Sequence, residues 1–470
     1  MDTTRLPVAV IGAGPVGLAA AAHLIRRGET PIVFEAGREV GANIREWGHV
    51  RLFSPWEYNV DRTSAELLSA AGWEHPPMDE LPTGNELIDR YLAPLASLPA
   101  LEPHIHLGTR VVAVGRRGLD RMKNTARVEE PFVVHVLDPK LEEMIHEVRA
   151  VIDASGTWSN PNPIGSGGIH VPSERALAKW IHYGIPDVLG TARSRYAGRR
   201  VAVVGSGHSA INTLLELETL QRAHPETSIT WVLRRPSAQA AFGGQESDAL
   251  VARGDLGIRL RDMVETGGMT IVPSFRTSRL ERNADGIVIR GNWNGVEVGI
   301  PEVDELIVAT GARPDFSFLH EIRLSLDPAV ESSTLLAPLV DPNFHSCGTV
   351  RPHGARELRH DEQDFYIVGM KSYGRAPTFL LATGYEQVRS VVAALSGDHA
   401  AAEAVELELP ETGVCSIGTA DCCGEDTALR EAAAPGEPVA ACCTVGVASR
   451  LANGELQQVS NVSGSCGCGS

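Results

Sequence analysis

The chain has 470 residues, 43% of them hydrophobic, with 47 glycines and a formal net charge of −17. That length exceeds a single core and suits two or three domains of ordinary α/β composition, and the negative charge argues against nucleic acid or an anionic membrane as a partner. An apolar strand begins within a few residues of Met1 without a basic or apolar leader, and no apolar run approaches the ~18 residues of a membrane span, so a cytoplasmic location is expected and the NVS sequon at Asn461 carries no weight.

The first predicted element is a strand feeding a glycine turn and a helix, VAVIGAGPVG, with Gly12, Gly14 and Gly17 and the intervening Pro15 and Val16. Such a turn lets a pyrophosphate approach bare backbone, and the helix N-terminus supplies N–H groups and a positive dipole. The next strand, TPIVFE, ends at Glu35 followed by Ala36. A carboxylate there accepts hydrogen bonds from a ribose diol and repels a 2'-phosphate, so FAD or NAD fits. Further on, Val111 to Val114 and FVVHVL (Phe132 to Leu137) read as strands, and Glu147 to Gly156 as one buried strand ending in the small-residue turn Ala154, Ser155, Gly156. The segment SNPNPIGSGGIHVP then reads as a linker out of the first domain.

A second fingerprint, VAVVGSGHSA, carries Gly205 and Gly207, then His208 and Ser209, with Ala210 in place of a third glycine. Its next strand, SITWVLRR, ends in Arg234 and Arg235. Paired guanidinium groups suit a 2'-phosphate, which points to NADPH, although a solvated basic strand end has the same composition. DELIVATGARPD then repeats the strand and small-residue turn with Ala309, Thr310 and Gly311. FYIVG, ending at Gly369 with Met370, reads as a strand returning to the first domain, and Ala376 to Leu395 as a helix with Pro377 and Thr378 in its first turn. The fold class is therefore α/β with two Rossmann-like dinucleotide-binding domains: 1–165 and 306–400 form a discontinuous first domain, and 166–305 is inserted into it. Residues 401–470 read as a flexible tail. It holds seven of the eight cysteines: Cys415, Cys422, Cys423, Cys442, Cys443, Cys466 and Cys468.

The ordered set of GAGPVG with Glu35, DASGTWSNPNP, VVGSGHSA with Arg234, ATGARPD and the closing segment resembles the two-dinucleotide-binding-domain flavoproteins, and within them the flavin-containing monooxygenase-like group. The resemblance covers about residues 5 to 398. It implies FAD extended in the first domain, NADPH docked from the second, and the flavin pyrimidine edge against the last helix near Met370 to Thr378. Trp47 and Val111 join the expected cofactor contacts. Two departures matter. The monooxygenase signature FxGxxxHxxx(Y/F) is absent, with only IHYGIPDV and RYAGRR before the second fingerprint, and the cysteine pairs that flavin disulfide reductases keep in their nucleotide-binding domains are missing.

Within EWGHVRLFSPWEYNVD, Ser54, Trp56 and Asn59 are the candidate catalytic residues, offering a hydroxyl, a stacking wall and an amide to a flavin adduct; a loop packed by Phe53 and Trp56 is the alternative. His345, Cys347, His353 and His360 could line a substrate pocket, bind a metal or simply form a polar loop over the flavin. Structural disulfides do not suit the cytosol. The tail's adjacent thiols therefore admit three readings: capture of a soft metal or metalloid such as As(III), a dithiol relay, or an inert extension. They match no paired CxxC zinc pattern.

The chain also resembles flavoprotein monooxygenases of bacterial arsenic-resistance operons. The expected enzyme is an FAD- and NADPH-dependent monooxygenase in which a C4a-hydroperoxyflavin, formed with molecular oxygen, oxidises a small soft nucleophile, a trivalent arsenical or a sulfur compound. A reductase working through the tail dithiols and a metalloid sensor or carrier on an inactive scaffold are the alternatives. A homodimer is left open.

Overall fold

The computed structural model describes residues 6–248, 250–344, 350–377, 379–407, 449–450 and 456–457. His345, Cys347, Thr378 and all seven tail cysteines lie outside them.

The apolar run at the N-terminus forms β1 (Val8–Ile11), and Pro31–Phe34 and Ile105–His106 form β2 and β3. An antiparallel meander follows, β4 (Arg110–Arg116), β5 (Phe132–Leu137) and β6 (Glu143–Val148), before β7 (Ala150–Asp153). The predicted single strand Glu147–Gly156 is thus two. The break falls at Arg149, whose N–H bonds to the Pro7 carbonyl at 2.9 Å and turns the chain from the meander into the parallel sheet. Phe132, Val134 and Val136 of β5 face the core while their neighbours are half-buried, the period of a one-sided strand. All four residues of β7 are buried, as expected of a strand covered on both faces.

The second unit repeats the plan. Ile181–Tyr183 (β8), Arg200–Val204 (β9), Ser228–Val232 (β10) and Thr270–Val272 (β11) precede a meander of β12 (Phe275–Arg282), β13 (Ile287–Trp293) and β14 (Val296–Val303), then Glu305–Val308 (β15). Phe365–Ile367 (β16) returns to the first sheet. The two parallel sheets have orders β16-β7-β1-β2-β3 and β8-β15-β9-β10-β11. They correspond strand for strand, except that β8 comes first in its unit and β16 last, after the whole second unit. The chain is an α/β protein with parallel-sheet Rossmann-like domains.

Helices Pro15–Arg26 and Leu381–Leu395 cover one face of the first sheet and its meander the other; in the second sheet, helix His208–Ala223 covers the face opposite its meander. The helix expected from Ala376 begins later. Gly369–Tyr373 forms a short 3-10 turn, and the closing helix starts at Leu381, so Pro377 precedes it instead of opening it. Gly374, at φ +60°, ends the 3-10 turn and redirects the chain. Two crossings join the units side by side. Asn162 N–H bonds to the Gly311 carbonyl (2.9 Å), Arg313 N–H to the Asn160 carbonyl (3.0 Å), and Thr310 Oγ1 to the Asn162 carbonyl (2.9 Å).

Candidate functional site

At the end of β1, Gly12 N–H bonds to the Phe34 carbonyl at 2.8 Å, and Gly12 adopts φ +98°. A side chain there would press on the Ala154 carbonyl, and one on Gly17 would fall on the carbonyl of Gly12. These two glycines are fixed by packing of helix, turn and β7. Gly14 differs, because a Cβ there would meet nothing within 4 Å. It is the N-cap of helix Pro15–Arg26, and its open face leaves the helix N-terminus accessible to an anion. Glu35, at the end of β2, lies against this turn, Oε2 accepting from Ala13 N–H and Oε1 from Gly37 N–H, both at 2.7 Å. An open helix terminus beside an anchored carboxylate fits the diphosphate and ribose of a dinucleotide.

The rest of that rim comes from distant sequence. Ala154, Ser155 and Gly156 (φ +70°) continue β7, and Gly369 (φ +69°) and half-buried Met370 continue β16. Val16 packs beneath both Gly369 and Gly384, so the closing segment rests on the first helix. Ala36 is exposed beside Glu35, and Val111 lies half-buried on β4, against the meander core.

The second turn follows the same geometry. Gly205 N–H bonds to the Val232 carbonyl (3.2 Å), and a side chain on Gly205, at φ +135°, would fall on the Ala309 carbonyl at the start of the Ala309–Gly311 turn. Gly207 caps helix His208–Ala223 and is as open as Gly14. The register sharpens the comparison with Glu35. Phe34 pairs with Ile11 as Val232 pairs with Val204, so the residue matching Glu35 is Leu233, fully buried, and not Arg234. No carboxylate stands where the ribose-binding acid would be. Arg234 and Arg235 follow at once, donating to the carbonyls of Ser166 (3.3 Å) and Ala240. Among the described residues neither pairs with an acid, which leaves both guanidinium groups able to take a phosphate.

Phe53 of the first unit lies on the ring of His208, with centroids 5.1 Å apart, at the mouth of the second turn. Behind it, the buried pair Arg253–Asp248 is closed by bonds of 2.7 and 2.8 Å. Burial, reinforced by the Arg253 charge and opposed by Asp248, lowers the His208 pKa to about 4. Trp47 and Trp158 face each other across the junction at 6.3 Å, and the Trp158 indole donates to Glu46 at 2.7 Å.

The candidate catalytic residues are placed otherwise than expected. Ser54, Trp56 and Asn59 are all buried; Ser54 Oγ donates to Asn59 Oδ1 (2.9 Å), and the Asn59 amide donates to the carbonyls of Ser54 and Pro55. Trp56 belongs to the core of the first domain. The polar capacity of Ser54 and Asn59 is spent within the turn, so the three residues shape the loop that carries Phe53. His353 and His360 are likewise buried, His353 with Nδ1 donating to the Arg351 carbonyl and Nε2 facing the Gln387 amide, and no group of metal-ligating side chains occurs among the described residues. Sequence reasoning missed the fully buried ion pair of Lys371 and Asp153, 2.7 Å apart. A lone acid ending an apolar strand and a lone lysine after another were its only signals.

The sequence pattern of the pyridine nucleotide-disulphide oxidoreductase family matches residues 9–346. The chain belongs to that family. Membership makes it a flavin-dependent oxidoreductase that uses FAD and NADP(H). No curated protein sequence matches it. Solved structures with the same fold include the bacillithiol disulfide reductase of Bacillus cereus, at TM-score 0.61 and 18% identity over 83% of this chain and 99% of that one. A flavin monooxygenase from Stenotrophomonas maltophilia aligns at TM-score 0.56 and 22% identity over 83% and 98%. An ornithine N-hydroxylase from Kutzneria sp. 744 aligns at 0.53 and 18% over 82% and 99%. No helix among the described residues is long and apolar enough to cross a membrane.

The His208 environment gives a pH prediction for this oxidoreductase. Its pKa is depressed from 6.5 to about 4, so the unfolded chain binds more protons across that interval, and stability falls as the pH drops through it. Urea midpoints for the wild type should decline from pH 6.5 toward pH 4, and His208→Gln should flatten part of that slope; an unchanged slope would count against the assignment.

Proposed function

We propose that the protein is an FAD- and NADPH-dependent monooxygenase acting on a soft nucleophile, a trivalent arsenical or a reduced sulfur compound. One observation carries the choice of oxidant: in a family named for disulphide chemistry, residues 9–346 contain no cysteine. No internal dithiol within the matched residues is available to take electrons from the flavin, which favours dioxygen as the acceptor. Pairs of adjacent cysteines in the tail, Cys422 with Cys423 and Cys442 with Cys443, support a thiophilic substrate.

When bound, FAD supplies hydride acceptance from NADPH and the activation of dioxygen. The protein's part is positioning. Gly14 and Gly207 open the two helix termini to the diphosphates, and Glu35 takes the ribose of FAD. Arg234 and Arg235 take the 2'-phosphate, while Phe53 on His208 and Trp47 near Trp158 close the junction against water.

The test is NADPH and oxygen consumption with and without a trivalent arsenical or a thioether, with peroxide followed in parallel. Substrate should accelerate NADPH oxidation and yield one oxygenated product per NADPH with little free peroxide. If all oxygen is recovered as peroxide whatever the substrate, the proposal fails. The cysteine content of the tail favours a second reading, an NADPH-dependent reductase passing electrons through the tail dithiols to a disulfide or metalloid. Removing residues 408–470 would abolish turnover in that case and leave oxygenation intact in the first.

A further inference from the structure

Lys371 is an ammonium group with no access to solvent, and its surroundings are specific. Nζ lies 2.7 Å from Asp153 Oδ2 and 3.1 Å from Ser155 Oγ, beneath the rings of Phe318 and Phe316 at 4.5 and 5.5 Å. Asp153 Oδ1 accepts from Ser155 N–H at 3.0 Å, and the Asp153 carbonyl accepts from Val368 N–H at 2.9 Å. A buried ion pair adds little net stability compared with apolar side chains of the same shape. The pair therefore calls for a role other than stability.

The pair connects two particular segments. Asp153 and Ser155 flank Ala154 in the turn after β7, while Lys371 sits in the 3-10 turn that begins at Gly369; both turns form the rim of the FAD cradle. They are more than two hundred residues apart in sequence, with the whole NADP(H) unit between them. Gly369 is further fixed by Gln387, whose Oε1 accepts its N–H at 2.7 Å, and by Ser372 Oγ, which donates to its carbonyl at 2.7 Å. Among the described residues, it is the Lys371 bridge that joins this side-chain network to the β7 turn.

We propose that Lys371 is a positioning residue for the flavin: held by Asp153 and Ser155, it locks the two halves of the discontinuous FAD cradle in register, so that FAD affinity and the environment of the bound flavin depend on it. The charge acts through the two turns and touches no reacting atom.

The experiment compares deflavinated wild type with Lys371→Met and with the double variant Asp153→Asn/Lys371→Met, reading thermal midpoint, FAD dissociation constant by fluorescence quenching, and the visible spectrum of the bound flavin. The single variant, left with a buried unpaired carboxylate, should lose stability. The double variant should regain the wild-type apoprotein midpoint, yet bind FAD at least tenfold more weakly and with an altered flavin band. Wild-type affinity and spectrum in the double variant would reduce the pair to a packing element and overturn the proposal. Should the double variant not fold, amide exchange in the wild type decides. On FAD addition, protection should rise together at Ser155 and across Val368–Ser372; protection at one turn alone overturns the coupling. Failure of the wild type to bind FAD would instead refute the cofactor assignment.

Discussion

Replacing Arg234 and Arg235 together by alanine should raise the KM for NADPH by about a hundredfold or more while changing that for NADH by less than about threefold. Hydrogen bonds to charged groups contribute about 1.5–3 kcal/mol each, so losing two such contacts to a 2'-phosphate gives roughly 3–6 kcal/mol, and a tenfold change is about 1.4 kcal/mol. Two features of the free protein favour the full effect. Both guanidinium groups rest on backbone carbonyls and pair with no described carboxylate, so phosphate binding breaks no ion pair. The position matching Glu35 is the buried Leu233, so neither cofactor gains a ribose-binding acid there. Steady-state kinetics with both nucleotides provide the measurement, and equal losses for the two would remove the 2'-phosphate role. A complementary variant, Leu233→Glu with both arginines replaced, should turn preference toward NADH if the buried carboxylate can reach the ribose as Glu35 does.

Both dinucleotide turns were readable from sequence because their causes are local: a strand, glycines whose side chains would strike a carbonyl, and a helix N-terminus within a dozen residues. The return of β16 to the first sheet was legible for a similar reason, as a short apolar strand ending in glycine. What escaped was set by partners far away in the chain. Ser54, Trp56 and Asn59 have the right side chains for a site, but only the fold shows Ser54 and Asn59 bonded to one another and to local carbonyls and Trp56 packed in the core. The closing helix starts at Leu381 and not at Ala376, after the 3-10 turn at Gly369 that Gln387 and Ser372 pin and that Gly374 ends. Register decided one further point. Taking the first charged residue that ends each second strand equates Arg234 with Glu35, whereas the strand pairing places Leu233 there.

Glu362 offers the sharpest test of long-range packing, since it sits in the charged run HDEQD and yet holds a buried cluster. Its side chain is 1% exposed, and it pairs with Arg116 at 2.9 Å and Arg127 at 2.6 Å, themselves 2% and 5% exposed. The remaining guanidinium hydrogens reach the carbonyls of Glu130, Gln363, Asp120 and Glu321. Glu362→Ala would leave two buried cations without a counter-ion, so a loss of about 3–5 kcal/mol is expected for the unfolding of the first domain, read as a lower denaturant midpoint at unchanged slope. The acid limb should carry the same signature. Burial pushes the Glu362 pKa up, but Arg127 and Arg116 together outweigh it and hold the carboxyl below its ordinary 4.5. Its contribution is therefore complete above that pH and is lost as the pH falls below it, a loss that the alanine variant should no longer show. Replacing all three residues with apolar side chains of similar volume should restore most of the midpoint, because a dry cluster bears no desolvation cost. If Glu362→Ala instead shifts the midpoint by under about 1 kcal/mol, water reaches the two arginines and the cluster does not hold the meander to the returning strand.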